Sequence, residues 1–291
     1  MLELDPVFEE HRSGLERLAY RMLGSLSDAD DVLQDAYLRW SRTDRHEVQS
    51  AQAYLTSIVT RLCIDQRRKV DARKESYIGP WLPEPLIEAP TARGSVESAE
   101  AISMAFLVVL ESLSPVERAA YLLRRVFDYD YDQIADVLKK SVPNCRQLVS
   151  RAEERVHERR PRFEPDPDSA EQITRQFIEA CTTGDLDGLV GLLAADAVSY
   201  TDGGGKVSAA MVPILGAAKI ARMFIGLARK YGNDFELRPA RVNGQPGILT
   251  LYRGELGHVM TLDIVDGQIV NCYVVRNPDK LARMTKADFG L

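Results

Sequence analysis

Apolar positions recur at helical spacing through roughly the first 160 residues and alternate through much of the last 100, so helices are predicted first and strands later. In SDADDVLQDAYLRW, Ala29, Val32, Leu33, Ala36, Tyr37 and Trp40 share one face. Ser27, with Asp30 three residues on, gives a start signal of the capping-box kind. A second helix from about Ser50 buries Ala51, Tyr54, Leu55, Ile58, Val59 and Leu62, then runs into the basic tract RRKVDARK. SYIGPWLPEPLIEAPTARGS breaks the pattern. Its four prolines between Pro80 and Pro90 forbid a continuous helix and favour a stiff, extended connector. A passive spacer has no need of Tyr77, Trp81 and Leu82, so this linker is expected to pack against something.

Helical spacing resumes near Glu97, with Ile102, Phe106, Val109, Leu110 and Leu113 on one stripe. SPVE then supplies Ser114 as N-cap, Pro115 in the first helical position and Glu117 as reciprocal cap, for a helix ending near Phe127. Asp130 and Gln133 repeat the signal ahead of Ile134, Ala135 and Leu138. After RRPRFEPDPDSAEQ the composition changes. Two helices, about 169–183 and 185–194, precede alternating β-branched stretches, with one more helix near 216–231. Asp266-Gly267 and Asn243-Gly244 lie between apolar runs and predict hairpins. The whole reads as a multidomain chain: two all-α domains, the second with a helix-turn-helix, then an α+β domain. The expected spans are 1–75, a Pro-rich linker at 76–98, then 99–163 and 168–291.

Composition narrows this little. The chain is 45% hydrophobic with a formal net charge of −6, and no run approaches a membrane span. The start MLELDPVFEEHRSGL lacks the basic and apolar segments of a signal peptide, so a cytoplasmic protein is expected. Cys63, Cys145, Cys181 and Cys272 are widely spaced, which fits buried free thiols better than disulfides or a metal site. Neither metal nor cofactor is expected.

Net acidity makes any nucleic-acid surface a local one. Lys139 to Arg162 carries eight Lys/Arg against three Glu. Read as the second helix of a helix-turn-helix, this segment starts at Ser141, with Pro143 in its first turn. Cys145, Leu148, Val149, Ala152 and Val156 form its apolar face, and Asn144, Arg146, Gln147, Ser150, Arg151 and Arg155 the other. Those side chains read base edges and hold phosphates. Periodicity alone equally describes a solvated surface helix; the short turn and small Ala135 favour DNA. A second basic tract, Arg61 to Lys74, holds six Lys/Arg against Asp65 and Asp71. Two basic modules on one stiff linker suggest two separated stretches of nucleic acid. On the helix 28–42, Asp31, Gln34, Asp35 and Leu38 form a further stripe, acidic with a leucine in it. It suits a basic protein partner, or only the helix dipole.

These residues carry a resemblance. DADDVLQDAYLRW with AYLTSIVTRLCIDQRR resembles the second conserved domain of bacterial RNA polymerase sigma factors. LSPVERAAYLLRRVFDYDYDQIADVL with SVPNCRQLVSRAEERV resembles their fourth. WLPEP at 81–85, DGGGK at 202–206 and NPDKL at 277–281 resemble the extracytoplasmic-function (ECF) subgroup with a SnoaL-like (NTF2-like) extension. The resemblance implies an alternative sigma factor whose partners are core RNA polymerase and promoter DNA, with no separate anti-sigma factor. It implies that Asp30, Asp31, Gln34, Asp35 and Leu38 dock on the largest-subunit clamp helices. Arg61, Asp65, Arg67, Arg68, Lys69 and Arg73 would meet the −10 element. Ser141, Asn144, Arg146, Gln147, Ser150, Arg151 and Arg155 would meet the −35 element. Trp81, Leu82, Pro83, Glu84 and Pro85, with Asp202, Gly203, Gly204, Gly205 and Lys206 and with Asn277, Pro278, Asp279, Lys280 and Leu281, would make regulatory contacts. The DGGGK loop is expected to touch the helical domains. Lys139 departs from the family, which usually has glycine in the turn.

Two other functions remain open on the residues alone: a ligand-sensing DNA-binding regulator, and a cyclase- or isomerase-type enzyme fused to a DNA-binding module. The candidates for such chemistry are Tyr200, Asp202, His258 and Asp263. Alternation puts His258 on the face of Met260, Leu262 and Ile264 and Asp263 on the opposite one, so convergence on a catalytic site is not expected. DGGGK lacks the spacing of a phosphate-binding loop.

Overall fold

Short polar side chains begin most of the helices, because the first backbone N–H groups of a helix have no partner within it. In the computed structural model, which describes residues 5–88, 102–159 and 167–284, Asp5 accepts from the amides of Val7 and Phe8 at the head of α1, Pro6–Leu23. Ser25, not Ser27, caps α2, Leu26–Trp40, by accepting from Asp28 N. The helix therefore starts two residues earlier than the Ser27/Asp30 spacing predicted. Ser50 caps α3, Ala51–Lys74, as expected. After α4, Met104–Leu110, both reciprocal capping boxes are present: Ser114/Glu117 on α5, Pro115–Arg125, and Asp130/Gln133 on α6, Tyr131–Leu138. Helix α7, Val142–Arg159, follows after a short turn. Pro90, and the helix start expected near Glu97, lie outside the described residues.

The chain forms two compact units, Met1–Ser76 with Val109–Arg160, and Tyr77–Val108 with Pro161–Leu291. This grouping differs from the four expected spans. The two helical domains share one unit, and the linker sits with the α+β part. In the first unit, Leu18, Met22, Leu23, Ala36, Trp40, Leu55, Val59 and Cys63 are buried between α1, α2 and α3. Ala120, Leu123, Ile134, Val137, Cys145 and Val149 form the core of α5–α7. Direct bonds join the two parts: Tyr129 OH donates to Thr56 Oγ1 at 2.9 Å, and Arg118 Nε to the Arg21 carbonyl at 2.8 Å.

The second unit has helices α8, Pro167–Thr183, and α9, Leu186–Leu192, ahead of strand β1, Leu193–Asp202. β2, Ile214–Leu215, and α10, Ala217–Tyr231, lead into the meander β3, Phe235–Val242, β4, Gln245–Tyr252, β5, Glu255–Val265, and β6, Gln268–Val275. α11, Pro278–Leu281, follows. The sheet order is β2-β1-β6-β5-β4-β3, with β1 parallel to β6. Three two-residue turns close the meander with positive φ at both positions: Asn243-Gly244, Arg253-Gly254 and Asp266-Gly267. That is the hairpin geometry whose twist matches the strands. The sequence reading missed the middle turn, because arginine is not a residue that signals it. Ile248, Met260, Leu262, Ile264 and Val274 pack against α8–α10 on one sheet face. Val242, Leu249, Val259, Tyr273 and Val275 line the other, where Leu82 and Met104 cover them. The second unit is thus α+β, with helices on one sheet face and the linker on the other.

Candidate promoter and polymerase interfaces

Helix α7 divides as its periodicity predicts. Cys145, Val149, Ala152 and Val156 are buried, while Ser141, Asn144, Arg146, Gln147, Ser150, Arg151 and Arg155 are exposed. Arg146 lies over the Tyr131 ring at 5.3 Å, and Arg155 Nη1 donates to Glu117 Oε2 at 2.7 Å. The turn before α7 places Lys139 in the left-handed region, at φ +52° and ψ +49°, where its N–H reaches the Ala135 carbonyl. This is the conformation glycine adopts without strain.

The basic tract on α3 is split. Arg61, Asp65, Arg68, Lys69 and Arg73 are exposed, but Arg67 is 1% exposed. Its guanidinium donates to Glu111 through both Nη atoms, and its Nε lies 2.9 Å from Asp71. Arg118, wholly buried, donates to the same Glu111 carboxylate at 2.8 Å, and Lys74 joins them. Burial opposes ionisation of Glu111, yet Arg118, Arg67 and Lys74 outweigh it and hold the carboxyl well below the usual range. Burial likewise pulls Arg118 down to about 10 and Lys74 to about 8. Arg67 as a DNA-facing residue is thus corrected for this conformation: the phase of α3 turns it inward, where charge demands partners. Arg61 is also engaged, its Nε donating to the Val137 carbonyl at 2.9 Å and its Nη2 to that of Asp136 at 3.2 Å. Sequence reasoning missed Glu111 and Arg118, since an ion cluster built from α3, α5 and the turn after α4 leaves no local signal.

On α2 the acidic stripe stands free of the core. Asp30, Asp31, Gln34 and Asp35 are exposed, and Leu38 is 46% exposed. A solvated helix face has no use for that leucine. An apolar contact ringed by acids suits a basic partner.

The three short strings converge in the second unit. Asp202, fully buried, accepts at Oδ1 from Tyr77 OH at 2.6 Å and at Oδ2 from Leu82 N at 2.9 Å and Lys280 Nζ at 2.7 Å. Lys280 also donates to the Leu82 carbonyl, and its ammonium stands 4.0 Å from the centre of the Trp81 ring. Asn277 Nδ2 donates to Tyr77 OH at 2.8 Å. Burial and the bond to Asp202 push the Tyr77 phenol up, so it remains the donor. A Cβ on Gly204, whose φ is +60°, would meet Asn277 at 2.4 Å. Pro83, Glu84 and Pro85 are buried, Lys206 pairs with Asp279, and Pro278 opens α11. Leu281 packs under Leu82 and Met104 in the outer sheet cluster. The DGGGK loop, expected to touch the helical domains, meets the linker at Ile78 through Gly205, while Gly203 lies against Ala209 of its own loop.

The candidates for chemistry do not gather. Tyr200 stacks on Tyr273, Asp202 forms a clasp with Tyr77, Leu82 and Lys280, and Asp263 accepts from Asn271 at 2.8 Å. His258 faces a cavity. All four cysteines are buried free thiols, and no helix among the described residues is long and apolar enough to cross a membrane.

Residues 7–73 match the family model Sigma-70 region 2, and residues 103–156 match Sigma-70, region 4. ECF RNA polymerase sigma factor SigJ of Mycobacterium tuberculosis is 34% identical over 94% of this chain and 91% of its own length. The chain belongs to the ECF RNA polymerase sigma factors. A second relative, the probable ECF sigma factor SigI of the same species, is 29% identical over 100% of this chain and 99% of its own. The crystal structure of the Mycobacterium tuberculosis extracytoplasmic function sigma factor SigJ aligns with a TM-score of 0.77 at 32% identity, covering 94% of this chain and 97% of that one. This ECF factor is accordingly an alternative sigma factor, a transcription initiation factor and not an enzyme, that binds core RNA polymerase and promoter DNA. Its helix-turn-helix lies in region 4 and its split basic helix in region 2. The expectation that it needs no separate anti-sigma factor gains no support from these relatives.

Proposed function

We propose that the chain directs initiation in two states, and that the described arrangement of its first unit is the resting one. Regions 2 and 4 pack on each other there, and the observation that carries the reading is Arg61 of α3 bonded to the last turn of α6. Elements named −10 and −35 lie about 25 base pairs apart, which at about 3.4 Å each is roughly 85 Å. Two surfaces in hydrogen-bond contact do not reach both. Initiation therefore separates the two regions, frees Arg61 for the −10 strand beside Arg68, Lys69 and Arg73, and leaves α7 to read the −35 duplex. The stripe Asp31, Gln34, Asp35 and Leu38 docks on the clamp helices of the polymerase, and its exposure in the resting chain lets docking come first. Restraint is exercised in cis: the clasp on Asp202 holds the linker that must span the gap.

The test pairs run-off transcription with a distance measurement. Dyes on Gln52→Cys and Asp132→Cys, exposed positions on α3 and α6 outside the proposed DNA contacts, label selectively, because the native thiols are buried. The free chain should give a short distance, and the initiating complex with core polymerase and a transcribed promoter a much longer one. Promoter-specific RNA with no lengthening would refute the two-state reading; no RNA from any promoter would refute the proposed promoter roles as well.

A further inference from the structure

On the helix-facing side of the sheet, β4 and β5 end beside the last turn of α10 and the segment after β6. A cavity of about 530 Å³ opens there. Three aromatic residues line it: Tyr231 lies nearly parallel to Phe235 at 6.0 Å and edge-on to Tyr252 at 5.3 Å. Flat walls of this kind accept a flat ligand.

The polar groups are few and of one sense. Thr250, 1% exposed, lines the cavity with its hydroxyl unpartnered among the described residues, and the buried Nε of Arg276 is likewise unpartnered. Arg276 is anchored by one other nitrogen, Nη1, which donates to the Ser208 carbonyl at 2.5 Å. His258 stands opposite Thr250 in the β4–β5 register. Burial, with Arg276 nearby, pulls its imidazole down to about 3, so the ring is neutral at physiological pH and keeps an N–H to donate. Among the described residues, no Asp or Glu lines the cavity. A buried guanidinium N–H and a buried hydroxyl without partners each cost free energy that a bound acceptor recovers.

We propose that this cavity is a binding site for a small aromatic carboxylate, its ring between Tyr231, Phe235 and Tyr252 and its carboxylate on Arg276, with Thr250 and His258 as further donors.

The full chain, titrated calorimetrically with 1-naphthoate and with 1-naphthylmethanol, distinguishes charge from shape. Naphthoate should bind one to one, at least about tenfold more tightly than the alcohol. Arg276→Gln should erase that preference, and Arg276→Lys, which keeps the charge, should retain part of it and serves if the glutamine variant fails to fold. Leu227→Trp, which fills the cavity from α10, should abolish binding of both. Absence of saturable naphthoate binding, equal affinity for acid and alcohol, or a preference unchanged in Arg276→Gln would each overturn the proposal.

Discussion

Lys139 shows what one side chain does to a turn. Its left-handed backbone costs a non-glycine residue roughly 1–2 kcal/mol, part of which glycine loses again through its freer unfolded chain. Lys139→Gly should therefore raise stability by about 1 kcal/mol in urea unfolding without touching the exposed face of α7. On that face, Arg146→Ala or Arg151→Ala should weaken promoter binding by roughly 1–3 kcal/mol and relax selectivity at one base pair, as measured on duplexes with single substitutions. Uniform weakening across all duplexes would assign the residue to phosphate instead. His258 yields a pH dependence. Its folded pKa lies near 3 and its unfolded value near 6.5, so between those values only the unfolded chain binds the proton. The contribution of His258 is complete above about pH 6.5 and is lost as pH falls toward 3. His258→Gln should flatten the fall of melting temperature across that window. The sequence placed His258 on the correct face by alternation alone, and marked Lys139 as a position that wants glycine. It did not reveal Arg276, which reaches the same cavity from the segment after β6.

At the scale of elements, caps and periodicity carried most of the reading, because both are local. Ser50, the Ser114/Glu117 and Asp130/Gln133 boxes and the apolar face of α7 stand where the pattern put them. Arg67 did not, and the reason was present in the spacing. Leu55, Val59 and Cys63 step by four along the buried side of α3, and Arg67 is the next step. A basic run reads as one surface only when the phase of its helix is ignored. The partners that make its burial tolerable, Glu111 and Asp71, come from the segment after α4 and from α3 itself. Removing the Glu111 charge leaves Arg67 and Arg118 buried around a neutral group, which costs about 3–5 kcal/mol for a broken buried pair. Glu111→Gln should lower stability by that order in urea unfolding. A change below about 1 kcal/mol would mean that water reaches the cluster and screens it.

For the whole molecule, the order of domains was legible and their grouping was not. Composition shifts and prolines mark where segments begin, but packing between α3 and α5–α6, or between Leu82 and the outer sheet face, joins residues far apart in sequence. The linker was a partial exception. Its Trp81 and Leu82 announced that it packs, and Asp202 supplies the surface that receives it, binding a phenol, an amide and an ammonium at once. Asp202→Asn keeps the shape and removes the charge that Lys280 needs. If the clasp then weakens by about 3 kcal/mol, the low end for a buried pair, the population with a free linker rises roughly a hundredfold. Chymotryptic cleavage after Trp81 in the full chain should accelerate accordingly. Affinity for core polymerase should hold, because the α2 stripe lies in the other unit, while run-off transcription should rise as the linker becomes free to span the promoter. Equal protection of Trp81 in both chains would show that the apolar contacts of Leu82 and Met104 alone hold the linker, and restraint would then be sought in the sheet face instead of in the ion pair.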